Sequence, residues 1–252
     1  MGRITQRRNT NYCTAAANMA RSVATQQVSF DYRDSTDANR TMFAIPPIIQ
    51  ALIIINVVVY LLQIATGNTL LVPFALWPST GGGGPPGAPF EAPPFELWQP
   101  VTYSFLHGST THLFFNMLAL WMFGTDIERV WGPRRFLTYY FVCVISAAAA
   151  QLLVAGMASG PAYPTIGASG GVYGVLLAFG MMFPRRKVML LFPPIPMPAW
   201  LLVTLYGVLE LLLGVTGTQA GVAHFAHLGG MAGGFLLIQY WRGRLPIKPG
   251  RR

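Results

Sequence analysis

Ser169 lies in the glycine-rich stretch 167–174 (GASGGVYG), which opens an apolar segment that runs to about residue 183. A serine in such a place either packs against a neighbouring helix or acts as a nucleophile. Because a hydroxyl is a weak nucleophile at neutral pH, the second interpretation requires a base, and His227 is the candidate. Together the two residue types would support acyl transfer, in which the serine attacks a carbonyl carbon and the histidine accepts its proton.

Acyl transfer also needs hydrogen-bond donors for the oxyanion that forms in the transition state. His112 and Asn116 are four residues apart, so they share one face of a helix. Their side chains, and the backbone N–H of Ser169 in the first turn of its helix, are candidate donors. Glu210 lies in another apolar segment, and we interpret it as a polar contact inside the bundle. No acidic third member is expected, so the predicted catalytic unit is a Ser169–His227 dyad.

The composition indicates that lipid surrounds the elements that carry these residues. Of 252 residues, 53% are hydrophobic and only 10% are charged, whereas a soluble domain usually carries about 25% charged residues. Six apolar segments of roughly membrane length are present, at about 45–65, 111–124, 136–158, 166–183, 197–215 and 222–241. A helix needs about 20 residues to cross the hydrocarbon core, so the sequence predicts an all-α polytopic membrane protein with six transmembrane helices.

The six segments define the expected domain organisation. Residues 1–44 form a polar arm, residues 45–241 a six-helix core and residues 242–252 a basic tail. The loop at 66–110 is rich in glycine and proline, a composition that resists regular structure. The arm is predicted to be flexible and cytosolic, although its first thirty residues lack acids and also resemble an organelle transit peptide.

The distribution of the basic residues orients the core. The net charge is +9, and all 17 Lys and Arg residues lie in the arm, between segments two and three, between segments four and five, or after segment six. The positive-inside rule therefore predicts cytoplasmic termini, and it explains the charge without nucleic acid. Segments two, four and six then enter from the opposite side, which places His112, Asn116, Ser169 and His227 near the same membrane face.

Glycine spacing predicts how the serine meets the histidine. Gly170 and Gly174 in segment four, and Gly230 and Gly234 in segment six, are each four residues apart. Small residues at this spacing let membrane helices touch backbone to backbone. The sequence thus predicts that segments four and six pack closely, with Ser169 and His227 beside the contact.

Other interpretations stay open on these residues alone. Ser169 could be a packing residue, and a polar-lined transporter could use histidines as a proton relay. A metal site is not predicted, because no cysteine is suitably placed and no His-Glu-x-x-His pattern occurs; the histidines it would need are His107, His112, His224 and His227. Gly167-x-Ser169-x-Gly171 matches a nucleophile elbow, but an apolar helix is not the strand–turn–helix setting of an α/β-hydrolase.

Three motifs resemble the rhomboid family of intramembrane serine proteases, over about residues 45–241. They are HxxxxHxxxN at 107–116, GASGGVYG at 167–174 and AHLGGxxxG at 226–234. They occur in this order on segments two, four and six. One position departs from the family: Trp98-Gln99 stands where members often carry Trp-Arg, so an ion pair that anchors the first loop is not expected.

The resemblance implies roles for the candidate residues. Ser169 would be the nucleophile and His227 the general base, with His112, Asn116 and the Ser169 amide around the oxyanion. Tyr173 would stack on His227, and water would enter near His107 and His112. The supporting residues are Tyr173, Gly167, Gly170, Gly171 and His107.

The resemblance also implies a substrate and a setting. Substrates would be single-pass transmembrane helices in the lipid bilayer, cut near the outer face through an acyl-enzyme, with segment five as a lateral gate. No cofactor, metal ion or ATP is implied. The expected location is a bacterial inner (plasma) membrane, with the site facing the non-cytoplasmic side. A catalytically silent rhomboid-like protein that binds membrane helices is the alternative, and a transporter is a more distant one.

Overall fold

The computed structural model describes residues 44–78, 93–157, 163–189, 194–217 and 223–246. The predicted arm falls outside this part of the chain except for Ala44. So do residues 79–92 of the glycine- and proline-rich loop and residues 247–252 of the basic tail.

Nearly all the regular structure is helical. The helices are α1 (Pro47–Ala65), α2 (Leu71–Phe74), α3 (Gln99–Thr102), α4 (Thr110–Ala119), α5 (Thr125–Trp131), α6 (Pro133–Met157), α7 (Ser169–Met182), α8 (Ala199–Thr216) and α9 (His224–Trp241). A 3-10 turn at Tyr103–Phe105 follows α3, and a π-helical turn at Leu120–Gly124 joins α4 to α5. Strands β1 (Lys187–Met189) and β2 (Pro196–Pro198) form an antiparallel pair in which Val188 lies opposite Met197.

Each of the six predicted segments is helical, and in five of them the helix begins and ends within three residues of the expected bounds. The second continues through α5 to Trp131, seven residues further than expected. It stops where Gly132 adopts a φ of 77° in the left-handed region, and its N–H donates to the Glu128 carbonyl at 2.7 Å. Pro133 then begins α6 because its fixed φ suits a first helical residue.

Three of the described helices are long and apolar enough to cross a membrane by length and composition: α1 with 19 residues, α6 with 25 and α8 with 18. The count of six spans stays a prediction. The run from α4 to α5 contains the π-turn and two acidic residues. Helix α7 has only 14 residues, which span about 21 Å of a hydrocarbon core about 30 Å thick.

The distribution of side chains is that of an integral membrane protein. Apolar residues on α1 and α8, among them Ile54, Leu61 and Leu212, are more than half exposed. Polar residues are buried instead, including Asn56, Gln63, Ser104, Asn116, Glu128 and Glu210. Lipid tolerates exposed apolar side chains, whereas a polar group must find its partners inside the protein.

Helix α7 is largely buried and packs on both α6 and α9, which also pack on each other. The Tyr139 hydroxyl of α6 donates to the Gly174 carbonyl of α7 at 2.7 Å. A Cβ on Gly171 would lie 2.7 Å from the Tyr140 ring, so α6 approaches this glycine closely. On α9, Gly229 and Gly233 likewise contact Ala150 and Ser146 of α6. Gly171 of α7 and Gly229 and Gly233 of α9 therefore pack on α6, a partner that glycine spacing did not identify.

The first loop is anchored to the core by uncharged groups. Gln99 is fully buried, and its Oε1 accepts from the Trp77 backbone N–H at 3.2 Å. Leu76 and Thr165 exchange two backbone hydrogen bonds of 3.0 and 2.9 Å. In the described part of the loop, a neutral hydrogen bond thus joins Gln99 to Trp77, and the Leu76–Thr165 pair ties this part to the segment before α7.

Glu128 connects α5 to the start of α1. Its Oε1 and Oε2 accept from the backbone N–H groups of Ile48 and Ile49 at 3.0 and 2.9 Å. Those amides belong to the first turn of α1, where N–H groups have no partner within the helix and the dipole favours a negative charge. The carboxylate is only 2% exposed, so these two bonds compensate its burial.

We expect Glu128→Ala to lower the free energy of unfolding by about 2–4 kcal/mol, because two charge-assisted hydrogen bonds are lost and two amides are left without a partner. Reversible denaturation in mixed micelles would measure the change. The matched control is Asp126→Ala in the same helix, which breaks a 2.7 Å ion pair with half-exposed Arg186. A surface pair of this kind contributes at most about 1 kcal/mol. Equal losses in the two variants would contradict the capping role of Glu128.

Candidate active site

Ser169 is positioned by the sharp turn that precedes α7. Gly167 has a φ of 122°, a value that favours glycine, and its N–H donates to the Tyr103 carbonyl at 2.9 Å. A Cβ on Gly167 would lie 2.7 Å from His112 Cε1 and 2.9 Å from His112 Nε2. A larger residue would therefore be strained and would also push His112 away from the start of α7.

His227 lies in the first turn of α9, and its Nε2 is 2.7 Å from Ser169 Oγ. This distance depends on the contact between the two helices. A Cβ on Gly230 would overlap the carbonyl oxygen of Gly170, and one on Gly174 would lie 3.2 Å from the Gly230 carbonyl. The backbones of α7 and α9 thus touch at Gly170, Gly174 and Gly230, three of the four glycines that the sequence indicated, whereas Gly234 packs on Tyr139 and Cys143 of α6. The contact between α7 and α9 brings the serine and histidine together.

Tyr173 lies one turn after Ser169 and covers the His227 ring. The ring centroids are 4.3 Å apart and the planes differ by 5°. This parallel stack restricts rotation of the imidazole about its side-chain bonds. The orientation of the His227 ring is therefore set on one side by Ser169 and on one face by Tyr173.

His112 and Asn116 approach the serine from α4. The Ser109 side chain caps this helix by accepting from the His112 backbone N–H at 3.1 Å. Nδ1 of His112 faces the Gly108 N–H at 3.5 Å, which assigns the proton of the neutral ring to Nε2, on the side of the ring that faces Gly167. Asn116 donates one N–H to the His112 carbonyl at 3.0 Å, and its amide has a second N–H to offer.

His107 packs against His112 and does not line the cavity. It is fully buried, and its ring packs edge-on against His112 with centroids 5.1 Å apart. Its backbone N–H and carbonyl pair with the Gln63 side chain at 3.2 and 2.7 Å. The His107 ring therefore contacts His112 without lining the cavity, and its place beside a water entrance stays a prediction.

A cavity of about 1220 Å³ opens beside the serine. Its polar end is lined by His112, Asn116, Ser169 and His227. From there it extends between α4 and α8 to a mainly apolar end at Met122, Leu176, Val188 and Leu202. The β1 strand, which the sequence did not indicate, thus contributes to the wall through Val188.

Glu210 reaches the site, contrary to the expectation that no acidic residue would. Its Oε2 is 2.6 Å from His224 Nδ1 and 2.9 Å from His227 Nδ1, and the Tyr173 hydroxyl donates to Oε1. Glu210 lies six residues before the end of α8 and His227 three residues after the start of α9. Since the two helices run antiparallel, both residues lie at similar depth. A carboxylate in an otherwise apolar helix was the available signal.

The histidines do not assemble as the alternative metal site would require. Within the described part of the chain, the His, Cys, Asp and Glu ligand atoms that converge, all within 4.8 Å, belong to Glu210, His224 and His227. His107 and His112 lie outside this group.

The fold and the site define a helical membrane protein in which a serine and a histidine pair at one end of an apolar cavity. Comparison with known proteins agrees with this class. The model of the Rhomboid domain matches residues 94–244, and the chain belongs to the rhomboid family.

Individual relatives support the assignment. The chain is 34% identical over 152 residues to Rhomboid protein 1, mitochondrial, of Saccharomyces cerevisiae, which covers 54% of this chain and 40% of that protein. It is 31% identical over 140 residues to Rhomboid protease GluP of Bacillus subtilis, covering 56% and 25%. It is 25% identical over 202 residues to Rhomboid protease GlpG of Yersinia pestis, covering 77% and 62%. The chain thus matches less than two thirds of the length of each of these relatives.

We expect Gly230→Ala to destabilise the fold by about 1–3 kcal/mol, because its Cβ must push against the α7 backbone. Reversible unfolding in mixed micelles would measure the loss. Gly207→Ala on α8 is the matched control, since its Cβ would lie 3.4 Å from the flexible end of Met231. The control should be neutral or more stable, because alanine is the better helix former. Equal stability of both variants would argue against a close α7–α9 contact.

Proposed function

We propose that this chain is an intramembrane serine endopeptidase that cleaves transmembrane-helix substrates through a Ser169–His227 pair. The observation that carries the proposal is the 2.7 Å contact between Ser169 Oγ and His227 Nε2 at the polar end of the cavity. A serine hydrogen-bonded to an imidazole is the activated nucleophile of acyl transfer. Two of the relatives carry the name rhomboid protease.

In the first half of the reaction, Ser169 Oγ would attack the carbonyl carbon of the scissile peptide. His227 Nε2 accepts the hydroxyl proton as the C–O bond forms. The tetrahedral intermediate then collapses, the C–N bond breaks, and His227 returns the proton to the leaving amine. The product is an ester between Ser169 and the N-terminal part of the substrate.

The charge on the intermediate would be stabilised by three donors. The Ser169 N–H is available because it is the first residue of α7. The His112 Nε2–H and the second N–H of Asn116 come from α4 and line the same cavity. Donors held in a water-poor site are effective because they need no reorganisation when the charge forms.

In the second half, a water molecule would attack the ester carbonyl. His227 accepts a proton from the water, and the new carboxylic acid leaves as the proton returns to Ser169 Oγ. The balance of the reaction is one peptide bond and one water in, one amine and one acid out. It therefore needs no cofactor, metal ion or ATP.

The cavity supports a transmembrane helix as the substrate. Its apolar end lies between α4 and α8, where a helix could enter sideways from lipid if α8 moves, so α8 would act as the lateral gate. Its polar end provides hydrogen-bond donors to a backbone that has left its own helix. The substrate class is therefore a single-pass membrane protein, cut where its helix unwinds near the outer face.

The membrane arrangement is part of the same proposal. Six spans, of which α7 with 14 residues is the shortest, would place both termini in the cytoplasm and the site toward the non-cytoplasmic face. The arm at 1–44 and the tail at 242–252 would flank a catalytic core at 45–241. The proposed location is the bacterial inner (plasma) membrane.

A catalytically silent rhomboid-like protein that holds membrane helices is the second candidate. The same apolar cavity favours it, since binding alone needs no nucleophile. It predicts a serine that does not react with an activated phosphonate. A transporter predicts solute flux instead.

We expect Ser169→Ala and His227→Ala each to abolish cleavage of a single-pass substrate in proteoliposomes, because one removes the nucleophile and the other its base. Gel analysis of the products would measure cleavage. Thr204→Val is the matched control, because this hydroxyl donates to the Trp200 carbonyl within α8 on an exposed face. If either alanine variant cleaved at the wild-type rate, the Ser169–His227 mechanism would be wrong.

Labelling with a fluorophosphonate probe separates the candidates. An endopeptidase should label in the wild type and not in Ser169→Ala. A folded wild-type protein that neither labels nor cleaves would favour the silent binding protein.

We expect Asn116→Ala to lower kcat about 100- to 1,000-fold, the usual loss for one oxyanion donor. The folded state should change little, because the bond that the Asn116 side chain makes within the described residues is to the His112 carbonyl of its own helix. Turnover measured beside thermal unfolding would test this. An unchanged kcat would remove Asn116 from the oxyanion site.

A further inference from the structure

Glu210 is an acidic residue in the middle of a helix whose other faces meet lipid. Its neighbours Leu209 and Leu211 are about half exposed, whereas Glu210 is only 5% exposed. A carboxylate at this depth is costly unless it is hydrogen-bonded, and such residues mark functional sites. The dyad mechanism above makes no use of it.

The carboxylate gathers three aromatic side chains from two other helices. Tyr173 of α7 donates its hydroxyl to Oε1. His224 and His227 of α9 bring their Nδ1 atoms to 2.6 and 2.9 Å from Oε2. Glu210 therefore ties α7, α8 and α9 together at the level of Ser169.

The contact with His227 is on the ring nitrogen that Ser169 does not use. Because Nε2 must be free to accept the serine proton, the neutral ring must carry its own proton on Nδ1. Glu210 Oε2 lies beside that proton, 2.9 Å from Nδ1. A carboxylate there favours the reactive tautomer, and it would also stabilise the imidazolium that forms when Nε2 takes the second proton.

We propose that Glu210 is a positioning residue for His227, so that the site works as a Ser169–His227–Glu210 triad rather than a dyad. This inference rests on the proposed peptidase function. His224 shares the same oxygen and forms the better-aligned bond, since the 2.9 Å approach of His227 Nδ1 lies outside hydrogen-bond angles. The Tyr173 ring supplies the remaining restraint, because it stacks on His227 while its hydroxyl holds Oε1.

The short distances favour a shared proton over a bound metal ion. In a tetrahedral zinc site, metal–ligand distances of about 2.0–2.2 Å keep neighbouring ligand atoms about 3.3 Å apart. The 2.6 Å between Glu210 Oε2 and His224 Nδ1 is instead that of a charge-assisted hydrogen bond. A metal ion at the same three residues is therefore an outcome for the test to detect.

The test compares Glu210→Gln with the wild type in proteoliposomes. The amide keeps the size of the side chain and an acceptor for Tyr173, but it has lost the charge that selects the His227 tautomer. We expect kcat to fall about 100-fold, less than the roughly 10,000-fold seen when a soluble triad loses its carboxylate, because the contact here is off-axis. KM should change less than about twofold, since Glu210 does not line the cavity. Glu210→Asp should recover part of the loss.

Active-site titration distinguishes positioning from a structural role. End-point fluorophosphonate labelling counts the competent serines, and turnover is expressed per labelled serine. A merely structural Glu210 would lower the number of labelled serines and leave turnover per serine unchanged, which would overturn the proposal. Wild-type turnover in Glu210→Gln would overturn it as well. Thr204→Val on the same helix is the control and should match the wild type.

Two further outcomes keep the hypotheses apart. If chelators abolish wild-type turnover and Zn²⁺ restores it, Glu210, His224 and His227 form a metal site and the positioning role of Glu210 is wrong. If the wild type neither cleaves nor labels, the peptidase function itself fails. Loss of turnover per serine in Glu210→Gln, with an active and chelator-resistant wild type, supports both proposals.

Discussion

The contact between α7 and α9 at Gly170 and Gly230 is the constraint on which the site depends. A membrane offers helices no hydrophobic reason to associate, because lipid is as apolar as their side chains. Close packing and hydrogen bonds must hold them instead, and only small residues let backbones approach this far. A larger residue at Gly230 would push against the Gly170 backbone, and Ser169 Oγ and His227 Nε2 would then lie further apart than their present 2.7 Å. Helix α6 packs on both α7 and α9 through Gly171, Gly229 and Gly233.

Lipid as the surrounding solvent also explains why the buried polar groups are paired. Water cannot satisfy a polar atom inside lipid, so each buried carboxylate must be matched by donors from the protein. Glu128 finds two amides at the start of α1, and Glu210 finds a tyrosine and two histidines. The first arrangement joins α5 to α1 remote from the serine. The second joins α7, α8 and α9 at the serine itself. Thus one requirement, satisfaction of a charge, stabilises the fold at one place and orders reactive groups at another.

Local signals predicted much of this structure. Hydropathy located six long helices, and glycine spacing located the α7–α9 contact, because both depend on residues near in sequence. Contacts set by the relative positions of distant elements were not predicted. Such packing determines the β1–β2 pair, the extension of the second segment through α5, and the position of His107 outside the cavity lining. Glu210 shows the difference. Its presence in an apolar helix was visible in the sequence, but its contact with His227 depends on the position of α8 along α9. No local pattern predicts that position.

The geometry also bears on what a substrate must do. A peptide carbonyl within a helix already accepts a hydrogen bond, and its carbon is screened by the following turn. To meet Ser169, a substrate helix has to give up several of these bonds, which is costly in lipid and less so in a polar pocket. In the proposed reaction the donors of His112, Asn116 and the Ser169 backbone would replace part of what is lost. Residues that weaken a helix, such as glycine, would lower the remaining cost. Selectivity would then come as much from the stability of the substrate helix as from side-chain contacts in the cavity.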